Sequence, residues 1–176
     1  CVVSRHQRNA FSPAGGSSSE TSTTRRLTPS GRAASHRWGR LYLISPWISD
    51  LDIPGVMSFS QFLKRLRDDE TTLYVVTRPP EENWHRAALN QLVETRVANV
   101  VLLPSLHTKL YYADTAQGSF ALIGSANFTQ RSLDNREIAV MIRGVSGGTK
   151  IVRALSHEAA MIYRMPGAKS VGRKQL

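Results

Sequence analysis

Between His107 and Glu137, a span of 31 residues, lie an imidazole, an ammonium, a hydroxyl, an amide and two carboxylates: His107-Thr108-Lys109, then Asp114, then Gly124-Ser125-Ala126-Asn127, then Glu137. Together these groups suit attack on a phosphodiester without a metal. An imidazole can attack phosphorus and form a phospho-histidine, which splits one difficult step into two. Lys109 offers a point charge to a non-bridging oxygen, and Ser125 and Asn127 can donate hydrogen bonds to the same phosphate. Preorganised donors of this kind are worth about 3–4 kcal/mol each in other enzymes. A carboxylate such as Glu137 can accept from the second ring nitrogen of a histidine, fixing its tautomer and raising its basicity. The set occurs once in the chain, which limits what one copy can do alone.

Taken singly, each piece has an ordinary reading. His107 with Lys109 is most often a solvated strand face, Gly124 to Asn127 a turn, Asp114 a turn-starting residue, and Glu137 a surface acid. The order and placement of the joint pattern are far more specific than any part.

The flanking sequence supplies elements to position the set. Leu41-Tyr42-Leu43-Ile44, closed by Ser45-Pro46, reads as a buried strand. Residues 58–70 read as a helix with Ser58 as N-cap and Phe59, Phe62, Leu63 and Leu66 at helical spacing. Residues 72–77 form a β-rich run closed by Pro79-Pro80. Residues 83–96 read as a second helix, with Ala87, Ala88 and Leu92 on its inner face and Trp84 a candidate beside them. Strands are expected at 98–103, 107–112, 120–123 and 138–142, with a short turn at Gln117-Gly118, and a final helix at 149–163. Strand alternation puts His107 and Lys109 on one face and Leu106, Thr108 and Leu110 on the other, in apolar packing. Gly124 lets the chain bend closely past a ligand. The fold class that follows is α/β, with a mixed, mainly parallel sheet flanked by helices.

The 176 residues suit one domain, and 41 % hydrophobic content fits a globular protein. The chain begins with Cys1 rather than Met, which suggests a fragment or a processed product. The net charge of +10 is concentrated in the ends. Residues 1–38 carry six Arg against Glu20, residues 164–176 four basic residues and no acid, and residues 39–163 only 13 basic against 12 acidic. Residues 1–38 are rich in Ser, Thr, Arg and Gly without apolar periodicity, and are expected to be disordered because they cannot offset the entropy of ordering. The expected division is therefore a disordered basic segment at 1–38, a domain at 39–164 and a basic tail at 165–176. Basic tails often touch nucleic acid or acidic membranes, although a solvated tail is equally ordinary.

Cys1 is the single cysteine, so neither an intrachain disulfide nor a cysteine metal cluster can form. No apolar run approaches the roughly 18 residues of a spanning helix. No integral membrane association is expected, and with no secretory signal stretch the default location is the cytoplasm. His157-Glu158 lacks the second histidine of a zinc-protease helix, and the glycines at 144–148 lack the order of a phosphate loop. No cofactor and no zinc or magnesium site is expected. Trp38, Trp47 and Trp84 read as core or interface residues rather than base-stacking platforms.

The pattern H-x-K-x4-D followed by G-S-x-N resembles the signature of the phospholipase D superfamily. Here it is carried by His107, Lys109, Asp114, Gly124, Ser125 and Asn127, with Glu137 matching the acidic residue that usually follows. Nine residues separate Asp114 from Gly124, where six is commonest in the family, and a longer turn would absorb the difference. Leu43-Ile44-Ser45-Pro46-Trp47-Ile48 also looks like the opening strand of many members. The resemblance covers roughly residues 40–163. It implies that one histidine attacks phosphorus while a second, from a second motif, protonates the leaving oxygen. His6, His36, His85 and His157 lack the lysine partner. The single-motif members that this chain resembles are small bacterial endonucleases working as homodimers, each subunit giving one His, Lys and Asn.

The implied function is a metal-independent phosphodiesterase, first of all a nuclease acting on nucleic acid (DNA before RNA). Its expected partner is a second copy of itself. Its setting would be bacterial restriction, antiphage or DNA-modification systems, where other subunits of a complex would be further partners. A phospholipid hydrolase or transphosphatidylase would use the same groups, but family members of that kind usually carry two motifs in a longer chain. A non-catalytic nucleic-acid-binding module of a larger complex is the third reading.

Overall fold

Alternation along the first strand decides the architecture. In β1 (Trp38–Ile44), Leu41 and Leu43 point to one face of the sheet and Tyr42 and Ile44 to the other, and all four are buried. A strand buried on both faces needs a covering layer on each. The computed structural model, which describes residues 38–115, 118–144 and 149–172, supplies both layers. Of the segment 1–38 expected to be disordered, residues 1–37, like the turn residue Gln117, lie outside the described residues, and Trp38 opens β1.

On the first face α1 (Phe59–Asp68) brings Phe59, Leu63 and Leu66, and α2 (Asn83–Glu94) brings Ala88, Leu89 and Leu92. On the second face α4 (Lys150–Tyr163) brings Val152, Ala159 and Ile162. α1 starts at a full capping box. The Ser58 hydroxyl accepts from the Gln61 N–H at 3.3 Å, and Gln61 Oε1 accepts from the Ser58 N–H at 2.9 Å. Such a cap is worth about 1 kcal/mol.

The other strands are β2 (Asp52–Ile53), β3 (Met57–Ser58), β4 (Leu73–Thr77), β5 (Ala98–Leu102), β6 (Leu110–Thr115), β7 (Gly118–Gly124), β8 (Ala139–Gly144) and β9 (Lys169–Ser170), with a short helix α3 (Gln130–Asp134) before β8. Among the described residues seven strands make one sheet in the order β8-β7-β6-β1-β4-β5-β9, and β2 pairs only with β3. The sheet is mixed, as expected. Its parallel share is smaller than the strand–helix alternation suggested: only β1–β4 and β4–β5 are parallel, and the other four pairings are antiparallel. Helices α1 and α2 make the two parallel crossovers. The chain then passes from β5 to the far side of β1 and continues as the antiparallel run β6-β7-β8.

Several expectations need correction. The strand expected at 107–112 begins at Leu110, so His107 and Lys109 sit in the crossing segment just before it. Leu106 and Leu110 are buried as expected, but Thr108 is exposed because the segment has left the ladder. The inner face of α2 is His85, Ala88, Leu89 and Leu92, while Ala87 and Trp84 are exposed. The C-terminal tail is not wholly separate. β9 pairs antiparallel with β5, and Val171 donates its N–H to Val100 O at 3.0 Å and packs against the first core.

Candidate active site

The sheet changes direction at β1, with β4 on one side and β6 on the other. In open α/β sheets the crevice at such a switch point, beyond the carboxyl ends of the parallel strands, is where ligands bind. The segment from β5 to β6 crosses this edge and carries His107 and Lys109. Leu103 and Leu106 pin it, both buried in the second core. Leu103 donates its N–H to Thr77 O at 2.8 Å, and Arg78 Nε donates to Leu106 O at 2.9 Å, one residue before His107. His107 is exposed, and Lys109 folds back to donate Nζ–H to the His107 carbonyl at 3.0 Å.

β7 runs antiparallel to β6, with Leu110 opposite Ile123. The pairing ends there, so Lys109, which precedes Leu110, and Gly124, which follows Ile123, lie at the same end of the two strands. Gly124 has a clear steric reason to be glycine: a Cβ there would lie 2.8 Å from Ala139 Cβ and 2.9 Å from Ala139 Cα. The close approach is to strand β8 rather than to a ligand. It lets the Ser125 N–H reach Ile138 O at 2.9 Å and the Ser125 hydroxyl oxygen accept from the Ile138 N–H at 3.1 Å. The Ser125 hydroxyl proton goes to Glu137 Oε2, so the serine and the carboxylate form one unit.

Asn127 follows in a loop stitched to the end of β1. The buried Ser45 hydroxyl donates to Trp47 O at 2.7 Å and accepts from the Phe128 N–H at 3.0 Å. Ser49 donates its N–H to Phe128 O at 2.9 Å. Tyr111 donates its hydroxyl to Ala126 O at 2.8 Å. Burial pushes the Tyr111 phenol up to about 12, the Ser45 hydroxyl works against that, and the nearby negative charge of Glu137 adds to it. Tyr111 therefore stays protonated and serves as a brace. Asn127 Oδ1 is buried and has no hydrogen-bond partner among the described residues. A lone buried polar atom costs about 1–3 kcal/mol, so it marks a place where a donor would be welcome.

Ser125 and Glu137 are joined by a hydrogen bond and Asn127 and Glu137 share one groove wall, at the end of β7 where the segment bearing His107 and Lys109 enters β6. Asp114 is not with them. It lies at the opposite end of β6, where Oδ1 accepts from the Ser119 hydroxyl at 2.8 Å. Within the chain Glu137 bonds Ser125, and no hydrogen bond links it to His107 among the described residues. Ser45, Arg78 and Tyr111 are supports that the sequence did not single out. Their signal was weak, since each acts through a backbone carbonyl or N–H contributed by a distant segment. Among the described residues no three His, Cys, Asp or Glu side chains gather in a way that could hold a metal ion. No helix among them is long and apolar enough to cross a membrane.

His85 is a structural histidine. It is fully buried, and Nε2 lies 3.0 Å from the Thr77 hydroxyl oxygen. That hydroxyl already donates its proton to Pro46 O at 3.0 Å, so His85 must be the donor and carries its proton on Nε2. Burial lowers its pKa to about 4, which keeps it neutral.

Comparison with known proteins agrees with this geometry. Residues 48–161, nearly two thirds of the chain, match the family described as "Cardiolipin synthase, PLD-like domain". Among solved structures, the phospholipase D family member Nuc from Salmonella typhimurium aligns over 80 % of this chain and 84 % of its own, with a TM-score of 0.54 and 15 % identity. Polyphosphate kinase from Porphyromonas gingivalis aligns over 80 % of this chain at a TM-score of 0.54 and 14 % identity, but the match spans only 20 % of that larger protein. At these identities the likeness is one of fold. No curated protein sequence matches the chain. The family match over residues 48–161, together with the shared fold, makes this chain a member of the phospholipase D superfamily of phosphodiesterases.

Proposed function

We propose that the protein is a metal-independent nuclease that hydrolyses nucleic-acid phosphodiester bonds through a phospho-histidine, as a homodimer. The observation that supports the reading is the single set of His107, Lys109, Ser125, Asn127 and Glu137 in the sequence, with Ser125 bound to Glu137 past the end of β7 and His107 and Lys109 just before β6. In the first step a nitrogen of His107 attacks phosphorus. An N–P bond forms, the P–O bond to the leaving group breaks, and the leaving oxygen takes a proton from His107 of a second copy. In the second step that second imidazole accepts a proton from water, the water oxygen attacks phosphorus, and the N–P bond breaks. Lys109 and Asn127 hold the non-bridging oxygens through both steps. Glu137, bound to Ser125 in its own chain, is available to the imidazole of the other copy.

The edge of the sheet supports a dimer. β8 is an edge strand, and it presents Met141 (71 % exposed) and Val140 beside Ile138 (80 % exposed), directly after Glu137. Leu133 of α3 adds to this exposed apolar surface. An unpaired apolar edge is a template for association, and here it adjoins the half-site. DNA modification, restriction or antiphage defence is the setting we propose, with other subunits of such a complex as further partners.

The test is cleavage of DNA, RNA and labelled phospholipid with excess EDTA present. We expect undiminished cleavage of nucleic acid. Loss of activity in EDTA would reject the metal-independent route, and turnover of phospholipid alone would favour the lipid hydrolase.

A further inference from the structure

Trp47 and Trp84 are 37 % and 44 % exposed, unusual for such large apolar side chains. Both line one groove of about 690 Å³ whose wall also includes Asn127 and Glu137. The groove therefore shares Asn127 and Glu137 with the proposed half-site, while His107 and Lys109 lie outside its wall. Each ring is held in place. The Arg78 guanidinium lies over the Trp47 ring, 5.4 Å from its centroid, and the same side chain is tied to Leu106 O. Trp84 stacks on His85, with ring centroids 5.6 Å apart and planes 23° from parallel, and His85 is fixed by Thr77. Neither indole N–H is used in a hydrogen bond among the described residues. The remaining wall offers the side-chain amides of Gln91 and Asn135, and its charges are Arg131 against Asp50 and Glu137.

That lining discriminates between ligands. With one Arg against two carboxylates it does not suit a phosphate backbone, single or double, whose binding depends on neutralising charge, so only a base could occupy it while the phosphates lie outside. Its amides and carboxylates would be left unpaired against an acyl chain. Fixed aromatic faces with amide groups alongside match the π-faces and polar edges of unpaired nucleobases. We infer that this groove takes a nucleobase stacked on Trp47 and Trp84 next to the scissile phosphate, so that the substrate is a single strand, DNA or RNA. This rests on the nuclease reading and narrows it. Arg78 and His85 are positioning residues for the two rings.

The experiment compares three substrates of equal length: a base-bearing single strand, an abasic single strand and a duplex. Wild-type protein is expected to cut the base-bearing strand with a kcat/KM roughly ten- to hundredfold above the abasic strand, the factor that stacking a base on an aromatic ring supplies. It should also cut the duplex more slowly than the base-bearing strand. Trp47→Ala and Trp84→Ala should lose that preference while cutting the abasic strand at the wild-type rate, which also shows that they are folded. Trp47→Phe and Trp84→Phe should restore most of it. Cleavage of base-bearing and abasic strands at equal rates, or a preference that survives both alanine substitutions, overturns the stacking site and leaves the nuclease reading standing. A wild-type protein that cuts no nucleic acid of any kind overturns both.

Discussion

At one end of β6, His107 and Lys109 stand in an open segment beyond the ladder, His107 exposed and Lys109 half-buried. At the other end Asp114 sits within the ladder, opposite Arg40 of β1 and Ser119 of β7, with its carboxylate accepting the Ser119 hydroxyl. A strand advances about 3.3 Å per residue, so the two ends of this one motif are on the order of 20 Å apart. The His107 end is built from segments that leave the sheet; Lys109, Ser125 and Glu137 are paired among themselves and with backbone there, while Asn127 Oδ1 has no partner among the described residues. The Asp114 end is built from register and satisfied within the chain. On the function proposed, a motif continuous in sequence is divided between reaction and architecture.

Substitutions at the two ends should separate rate from stability. His107→Ala should cost at least about 10⁴-fold in kcat, since removing a covalent nucleophile disables the whole route. Thermal unfolding should be unchanged, because the side chain is exposed. Residual activity within tenfold of wild type would remove His107 from the mechanism. Asn127→Ala should lower kcat by about 10²–10³-fold if its amide holds the phosphate. Steady-state kinetics showing only a rise in KM would assign it to ground-state binding instead.

Behind the active end, His85 should make stability depend on pH. It binds its proton near 6.5 when unfolded and near 4 when folded. Its contribution is therefore complete above about 6.5 and is lost as the pH falls through 4, by up to about 3 kcal/mol. Urea midpoints across this range should fall more steeply for wild type than for His85→Gln, and parallel curves would contradict the buried neutral imidazole. The smallest effect is expected at the far end. Asp114→Asn keeps an acceptor for Ser119 and should cost about 1 kcal/mol in stability or less, with kcat within a few fold of wild type. A collapse of kcat in a folded Asp114→Asn protein would break the division drawn between the two ends.

The proposed half-site was picked out in the sequence because its chemistry requires unusual side chains in a fixed order, so that His107, Lys109, Ser125, Asn127 and Glu137 stand out from a background of Leu and Val. Asp114 shares the motif, but strand parity and distance carry it to the opposite end. Most helices and strands were legible from period, and Ser58 from its capping chemistry. The inner face of α2 was misread because His85 occupies the first position of the stripe 85, 88, 89 and 92, where an apolar residue would have revealed the phase. β9 was missed because two residues carry no period. The larger antiparallel share and the supports Ser45, Arg78 and Tyr111 depend on partners distant in sequence. The positions of Trp47 and Trp84 were hidden for the same reason: composition favours burying tryptophan, and only the fold shows a groove beneath them.

The central claim is that each chain holds half of an active site. It is tested most directly by co-expressing wild-type and His107→Ala subunits at varied ratios and measuring nuclease activity against subunit composition. If both histidines of a dimer are needed, activity falls as the square of the wild-type fraction. A fall in simple proportion to that fraction would mean that one chain suffices, and would contradict the account.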